Sequence, residues 1–221
     1  MGKTFVVGDI HGCYRSLNEL LQYITGPDNT VIFLGDYIDR GPDSKRVVSR
    51  LIRLKKEFDR VITLQGNHEA MFLRYLHGFD QQLFLRNGGL RTLESYGIDP
   101  LKKNNDPRAA LPEEHLAFFN DLLLHWEDDT HIYVHAGLEP GVHLALQSPE
   151  WCLWAGEAFV SSTYDFGKRV IFGHTAFHDP YVRQEKIGID TGAVYGGRLT
   201  CLVLPDEQFL SVPGLENEPG Y

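Results

Sequence analysis

The 221-residue sequence predicts an α/β fold in a single domain, on three observations. Short apolar runs rich in β-branched residues recur along the chain, and helical patterns separate the first of them. The runs are also continuous rather than alternating, as expected of strands buried on both faces.

In order, Thr4 to Val7 reads as the first strand. Leu17, Leu20, Leu21 and Ile24 then recur at i, i+3, i+4 and i+7, and this helix stops at Gly26-Pro27. Val31 to Leu34 is the second strand. Asp43 or Ser44 caps a second helix, with Val47, Val48, Leu51, Leu54 and Phe58 inward and Lys45, Arg46, Arg50, Lys55 and Lys56 toward water. A third strand at Val61 to Leu64 precedes helices at Glu69 to Leu76 and Glu113 to Trp126, with a proline-broken loop from Gly97 to Pro112 between them. Strands come next at His131 to Val134, Val170 to Phe172 and Leu199 to Leu204. The domain is expected to span 1–221, with a helical and loop insertion around 70–126 and a flexible tail at 211–221.

Composition narrows the class. With 43% hydrophobic and 23% charged residues the chain is neither fibrous nor disordered. A formal net charge of -9 argues against nucleic acid or an anionic membrane as general partners. Cys13, Cys152 and Cys201 form no CxxC pair, and there is neither a signal peptide nor an apolar run long enough to span a membrane, so a cytoplasmic protein is expected.

The most informative pattern lies at the carboxyl ends of five of these six strands: Gly8-Asp9-Ile10-His11-Gly12, Gly35-Asp36-Tyr37-Ile38-Asp39-Arg40-Gly41, Gly66-Asn67-His68-Glu69, His135-Ala136-Gly137 and Gly173-His174. Ligands of open α/β sheets sit at such strand ends, where glycine permits sharp turns. One Gly-Asp after a strand is most often a turn or a cap. Five strand ends that each deliver Asp, Asn or His point instead to a metal site, and a set without thiolate suits Mn²⁺, Fe or Zn²⁺. Asp9 and His11, two apart in an extended segment, would point to one side. The neighbours Asn67 and His68 must diverge, so one can be a ligand while the other moves a proton. Asp36 could bridge two ions.

These five blocks resemble the signatures of the calcineurin-like metallophosphoesterases, and Asp39-Arg40 is similar to the phosphoprotein phosphatase branch, including the compact serine/threonine phosphatases of bacteria and bacteriophage lambda. Asp190-Thr191-Gly192 with Gly196-Gly197 resembles a late block of the bacterial members. The resemblance implies a central β-sandwich flanked by helices on both outer sides, in four layers αββα. It implies that Asp9 and His11 hold one ion, that Asp36 bridges, and that Asn67, His135 and His174 hold the second, with Mn²⁺ the favoured metal. A water between ions ~3.5–4 Å apart then attacks phosphorus without a phosphoenzyme. His68 would protonate the leaving group, Asp39 would orient His68, and Arg40 would grip phosphate oxygens.

The resemblance implies hydrolysis of phosphomonoesters by a serine/threonine protein phosphatase, on phosphoprotein or small phosphate-ester substrates. The lambda-type phosphatases carry a further phosphate-binding arginine just after a tryptophan, and Trp151-Cys152-Leu153-Trp154-Ala155-Gly156-Glu157 has none; either another arginine, such as Arg86, Arg91 or Arg183, takes its place or the substrate is gripped differently. The alternatives are a symmetrical dinucleoside tetraphosphatase, which shares the ligand set and the late block but not the Asp39 partner, and a metal-stabilised binding module without catalysis.

Overall fold

A computed structural model describes residues 2–101 and 106–215. Among these described residues, ten strands form two five-stranded sheets. The first, ordered β10-β9-β1-β2-β3, is built from β1 (Thr4–Val7), β2 (Thr30–Phe33), β3 (Arg60–Thr63), β9 (Arg198–Leu204) and β10 (Gln208–Pro213). The second, ordered β4-β5-β6-β8-β7, contains β4 (His125–Glu127), β5 (His131–Val134), β6 (Arg169–Phe172), β7 (Tyr181–Val182) and β8 (Lys186–Gly188). β1, β2 and β3 run parallel in one sheet and β5, β6 and β8 in the other.

Burial on both faces divides each strand between two cores. Val6, Ile32 and Leu34 of the first sheet meet Tyr133, Ile171 and Ile187 of the second in the cluster between the sheets. Phe5, Val7, Val31 and Phe33 point outward, under α1 (Tyr14–Leu21), α2 (Ser44–Leu54), α3 (Asn67–Leu76), α5 (Leu90–Tyr96) and α6 (Glu113–Asn120). Between α3 and α5 lie a single turn, α4 (Gln81–Phe84), and a kinked turn at Leu85–Gly89. Ile132, Val134, Val170 and Phe172 pack under α7 (Pro149–Trp154) and α8 (Glu157–Val160). The layers are helix, sheet, sheet, helix, as predicted. Each fully buried Leu or Ile contributes about 1.5–3 kcal/mol.

Two expectations are corrected. The helix from Glu113 ends at Asn120, not Trp126, because Leu123 donates to the Thr63 carbonyl and accepts from the Gln65 N–H, drawing this segment alongside β3. Trp126 lies instead in β4. The tail is not loose from 211: Ser211, Val212 and Pro213 belong to β10, paired with Thr200, Leu199 and Arg198, and Val212 is buried. The rest of the tail, 216–221, lies outside the described residues.

Candidate active site

Both parallel triplets end on the same rim of the sandwich. β1 leads into Asp9 and His11, β2 into Asp36, Asp39 and Arg40, and β3 into Asn67 and His68; β5 and β6 lead into His135 and His174. Residues 165 positions apart in sequence thereby meet, the backbone N–H of His174 lying 3.2 and 3.0 Å from the two Asp9 oxygens. Asp9, His11, Asp36, Asp39, Asn67, His68 and His135 are all buried.

Asp36 is the centre. Its Oδ2 lies 3.3 Å from His11 Nε2 and 3.9 Å from His68 Nε2, and its Oδ1 lies 3.5 Å from His135 Nε2. Two groups of potential metal ligands therefore share this one carboxylate: His11, Asp36 and His68, and Asp36, His135 and His174. Backbone carbonyls set the imidazoles. His11 Nδ1 donates to the Ile38 carbonyl at 2.8 Å and His135 Nδ1 to the Leu34 carbonyl at 3.0 Å, which turns both Nε2 lone pairs inward. One end of the Asn67 amide lies 3.0 Å from His135 Nε2, 3.2 Å from His174 Nδ1, and 3.2 and 3.3 Å from the Asp36 oxygens. With the amide oxygen in that position, acceptors converge from every side, an arrangement that a cation completes. With the nitrogen there, the amide itself donates to them.

The electrostatics agree with a cation site. Burial, then the neighbouring Asp190 and Asp36 carboxylates, push Asp9 well above the usual carboxylate range. Burial would raise Asp36 too, but His135, His68 and His11 outweigh it and hold that carboxyl low. Burial lowers His135, and it takes His174 down to about 4, keeping both rings neutral as ligation requires.

His68 is placed differently. Its Nδ1 lies 2.6 Å from Asp39 Oδ2, and its Nε2 is buried with no hydrogen-bond partner. Asp39 Oδ1 accepts from Thr92 Oγ1 at 2.5 Å, and the Asp39 N–H is shared by Thr92 and Ser44. Burial pushes Asp39 up to about 8 and His68 down to about 3. Arg40 lies with Nη1 2.5 Å from His11 Nε2 and its guanidinium 5.5 Å from the centre of the Tyr195 ring.

The expected pairing of Asp9 with His11 takes another form. His11 sits at φ 43°, so the segment is not extended there, and Asp9 turns to the His174 backbone, in neither three-ligand group. Of the candidate arginines, Arg91 pairs with Glu94, Arg183 lies over Tyr181, and Arg86 is exposed on the kinked turn beside Gly88, whose carbonyl accepts the Arg40 N–H.

Three contributors to the site are not apparent from local sequence. Glu69 accepts from four backbone N–H groups, Asp36 and Gly66 at 2.9 Å, Tyr37 at 2.8 Å and Ile38 at 3.3 Å, and so ties the loop after β2 to the start of α3. Thr92 reaches Asp39 from α5. Asp190 comes after β8, a sixth strand end on the same rim; only its block resemblance marked it.

Comparison with known proteins agrees with this geometry. The chain is 29% identical to the asymmetrical bis(5'-nucleosyl)-tetraphosphatase PrpE of Oceanobacillus iheyensis, over 95% of this chain and 92% of that one. A solved structure described as a putative diadenosine tetraphosphatase superposes with a TM-score of 0.76 at 25% identity, covering 98% of this chain and 95% of that one. A cold-active protein tyrosine phosphatase shares the fold at 17% identity and a TM-score of 0.70, over 96% and 76% of the two chains. The model of the calcineurin-like phosphoesterases matches residues 2–177, which include the five strand ends from Asp9 to His174, and the chain belongs to that family.

Proposed function

We propose that the protein hydrolyses dinucleoside polyphosphates of the bis(5'-nucleosyl) tetraphosphate type, using two divalent cations, with Mn²⁺ the favoured pair. The observation that supports this most directly is the Asp36 carboxylate set between His11 on one side and His135 and His174 on the other, in a chain whose relatives over nearly their whole length are named tetraphosphatases. Asp9 and His11 would complete one metal group, and Asn67, His135 and His174 the other. When bound, such a pair supplies Lewis acidity and a water of lowered pKa.

The protein's own residues then have defined tasks. Arg40 presents a planar fork to phosphate oxygens. His68 offers a proton at Nε2, and its pairing with Asp39 explains how. A protonated Asp39 donating to Nδ1 and an ionised Asp39 beside imidazolium hold the same two protons, and Nε2–H is a donor in both. As Nε2 gives its proton to the leaving oxygen, the 2.6 Å contact lets Nδ1 take or keep the other. Burial favours the neutral form until that moment.

This Asp39–His68 pair favours a second reading, a serine/threonine protein phosphatase, because an alkoxide leaves poorly without an acid, whereas a nucleotide phosphate leaves more readily. The two are separated by assaying diadenosine tetraphosphate and a phosphopeptide at equal concentration with Mn²⁺. The expected result is faster cleavage of the dinucleotide to ATP and AMP, the asymmetrical outcome, abolished by chelator. Faster phosphopeptide turnover refutes the proposal, and two ADP would make the cleavage symmetrical. A cytoplasmic setting fits the three free, buried thiols, and no helix of the described residues is long and apolar enough to cross a membrane.

A further inference from the structure

A cleft of about 200 Å³ opens beside the site, lined by Glu150, Trp151, Trp154, Ala155, Gly156 and Ala158. It lies between α7 and α8, where the resemblance led to the expectation of an arginine after a tryptophan and the chain has Ala155-Gly156 instead. A Cβ at Gly156 would meet nothing within 4 Å.

Two features connect this cleft to the reacting centre. The Trp154 ring stands edge to face with His174, centroids 6.3 Å apart, yet is 39% exposed. The carbonyl of Cys152 on α7 accepts the Ala136 N–H at 2.8 Å, which fixes α7 to the residue following His135. An indole that is part-buried against His174 yet 39% exposed is held in place by the fold and still offers ring surface to the cleft. A flat aromatic ligand attached to the polyphosphate would use it.

We propose that Trp154 is the stacking platform for one nucleobase of the substrate, with the cleft receiving the base and Glu150 at its wall available to accept from base N–H groups. This rests on the dinucleoside polyphosphate reading. Base-on-aromatic stacking contributes enough for its loss to weaken binding about 5- to 100-fold.

The test uses the Mn²⁺-loaded full-length protein and its W154A and W154F variants. Two quantities are measured on each: the KM for diadenosine tetraphosphate, and the inhibition constant of inorganic tripolyphosphate, which has no base. W154A should raise the first about 5- to 100-fold and leave the second within about twofold, and W154F should restore most of the loss. If W154A moves both quantities alike, Trp154 serves to support His174, and the inference is wrong. If it moves neither, the base does not stack there, and the inference is again wrong while the proposed function stands. A wild-type protein that turns over phosphopeptide but not the dinucleotide removes both.

Discussion

Replacing Glu69 by Gln tests whether this carboxylate holds the site's loops in register. Four N–H groups point at its two oxygens, two at each. Burial, then Asp36, push the carboxyl up to about 8, while the backbone donors pull it down. With a donor on every side, a hydroxyl proton has no acceptor to meet, so the geometry fits the ionised form. Glutamine keeps one oxygen and sets an NH₂ against the other two N–H groups. Two buried donors lose their acceptor at about 1–3 kcal/mol each, hence about 2–6 kcal/mol in all. For a chain of this length that lowers Tm by about 4–24 °C. Thermal unfolding in chelator reads this fold-level term without the metals, and metal content after gel filtration reads the effect on the site, which should fall because Asp36 and Asn67 flank the lost contacts. An E69Q protein with Tm within about 2 °C of wild type and full metal content would refute the reasoning.

Two further outcomes are expected. H68N should lower turnover by about 10²–10⁴ while metal content stays intact; loss of metal would make His68 a ligand instead. His115, whose Nδ1 lies 2.7 Å from the Tyr96 hydroxyl and whose Nε2 lies 3.1 Å from Ser49 Oγ, is held below the ordinary histidine value by burial. The unfolded chain therefore binds the extra proton more readily, so this contribution is complete above about pH 6.5 and is lost as pH falls from there through the lower folded-state value. The urea midpoint of H115Q should accordingly vary less between about pH 5 and 8 than that of wild type, and an unchanged slope would refute this.

The framework of the fold was legible because strands buried on both faces are continuous in sequence, and α1 and α2 carry their inner faces at helical spacing. The site was legible because Asp, Asn or His with glycine close by recurs at five of the six parallel strand ends. What escaped depends on distant pairing. Nothing local distinguishes Leu122 and Leu123 from a helix continuing past Asn120; the ladder with β3 does. Thr92 acts on a carboxylate 53 positions away, and Glu69 reads as an ordinary first-turn acid of α3 until the loop after β2 is seen to lie against it. Residues at i and i+2 share a side only on extended backbone, which His11 does not adopt, so Asp9 and His11 diverge from that pattern.

Five residues of the rim, His11, Asp36, Asp39, Arg40 and His174, have left-handed backbone at φ between 43° and 71°, without being glycine. Each such conformation costs roughly 1–2 kcal/mol. This rim is thus the part of the molecule that the rest of the sandwich carries at a loss, and glycine at any of these positions would relieve strain while deleting a side chain of the proposed site. Yield, solubility and melting temperature are consequently poor guides to activity here: a variant that has lost its chemistry at one of these five positions can be better folded than its parent.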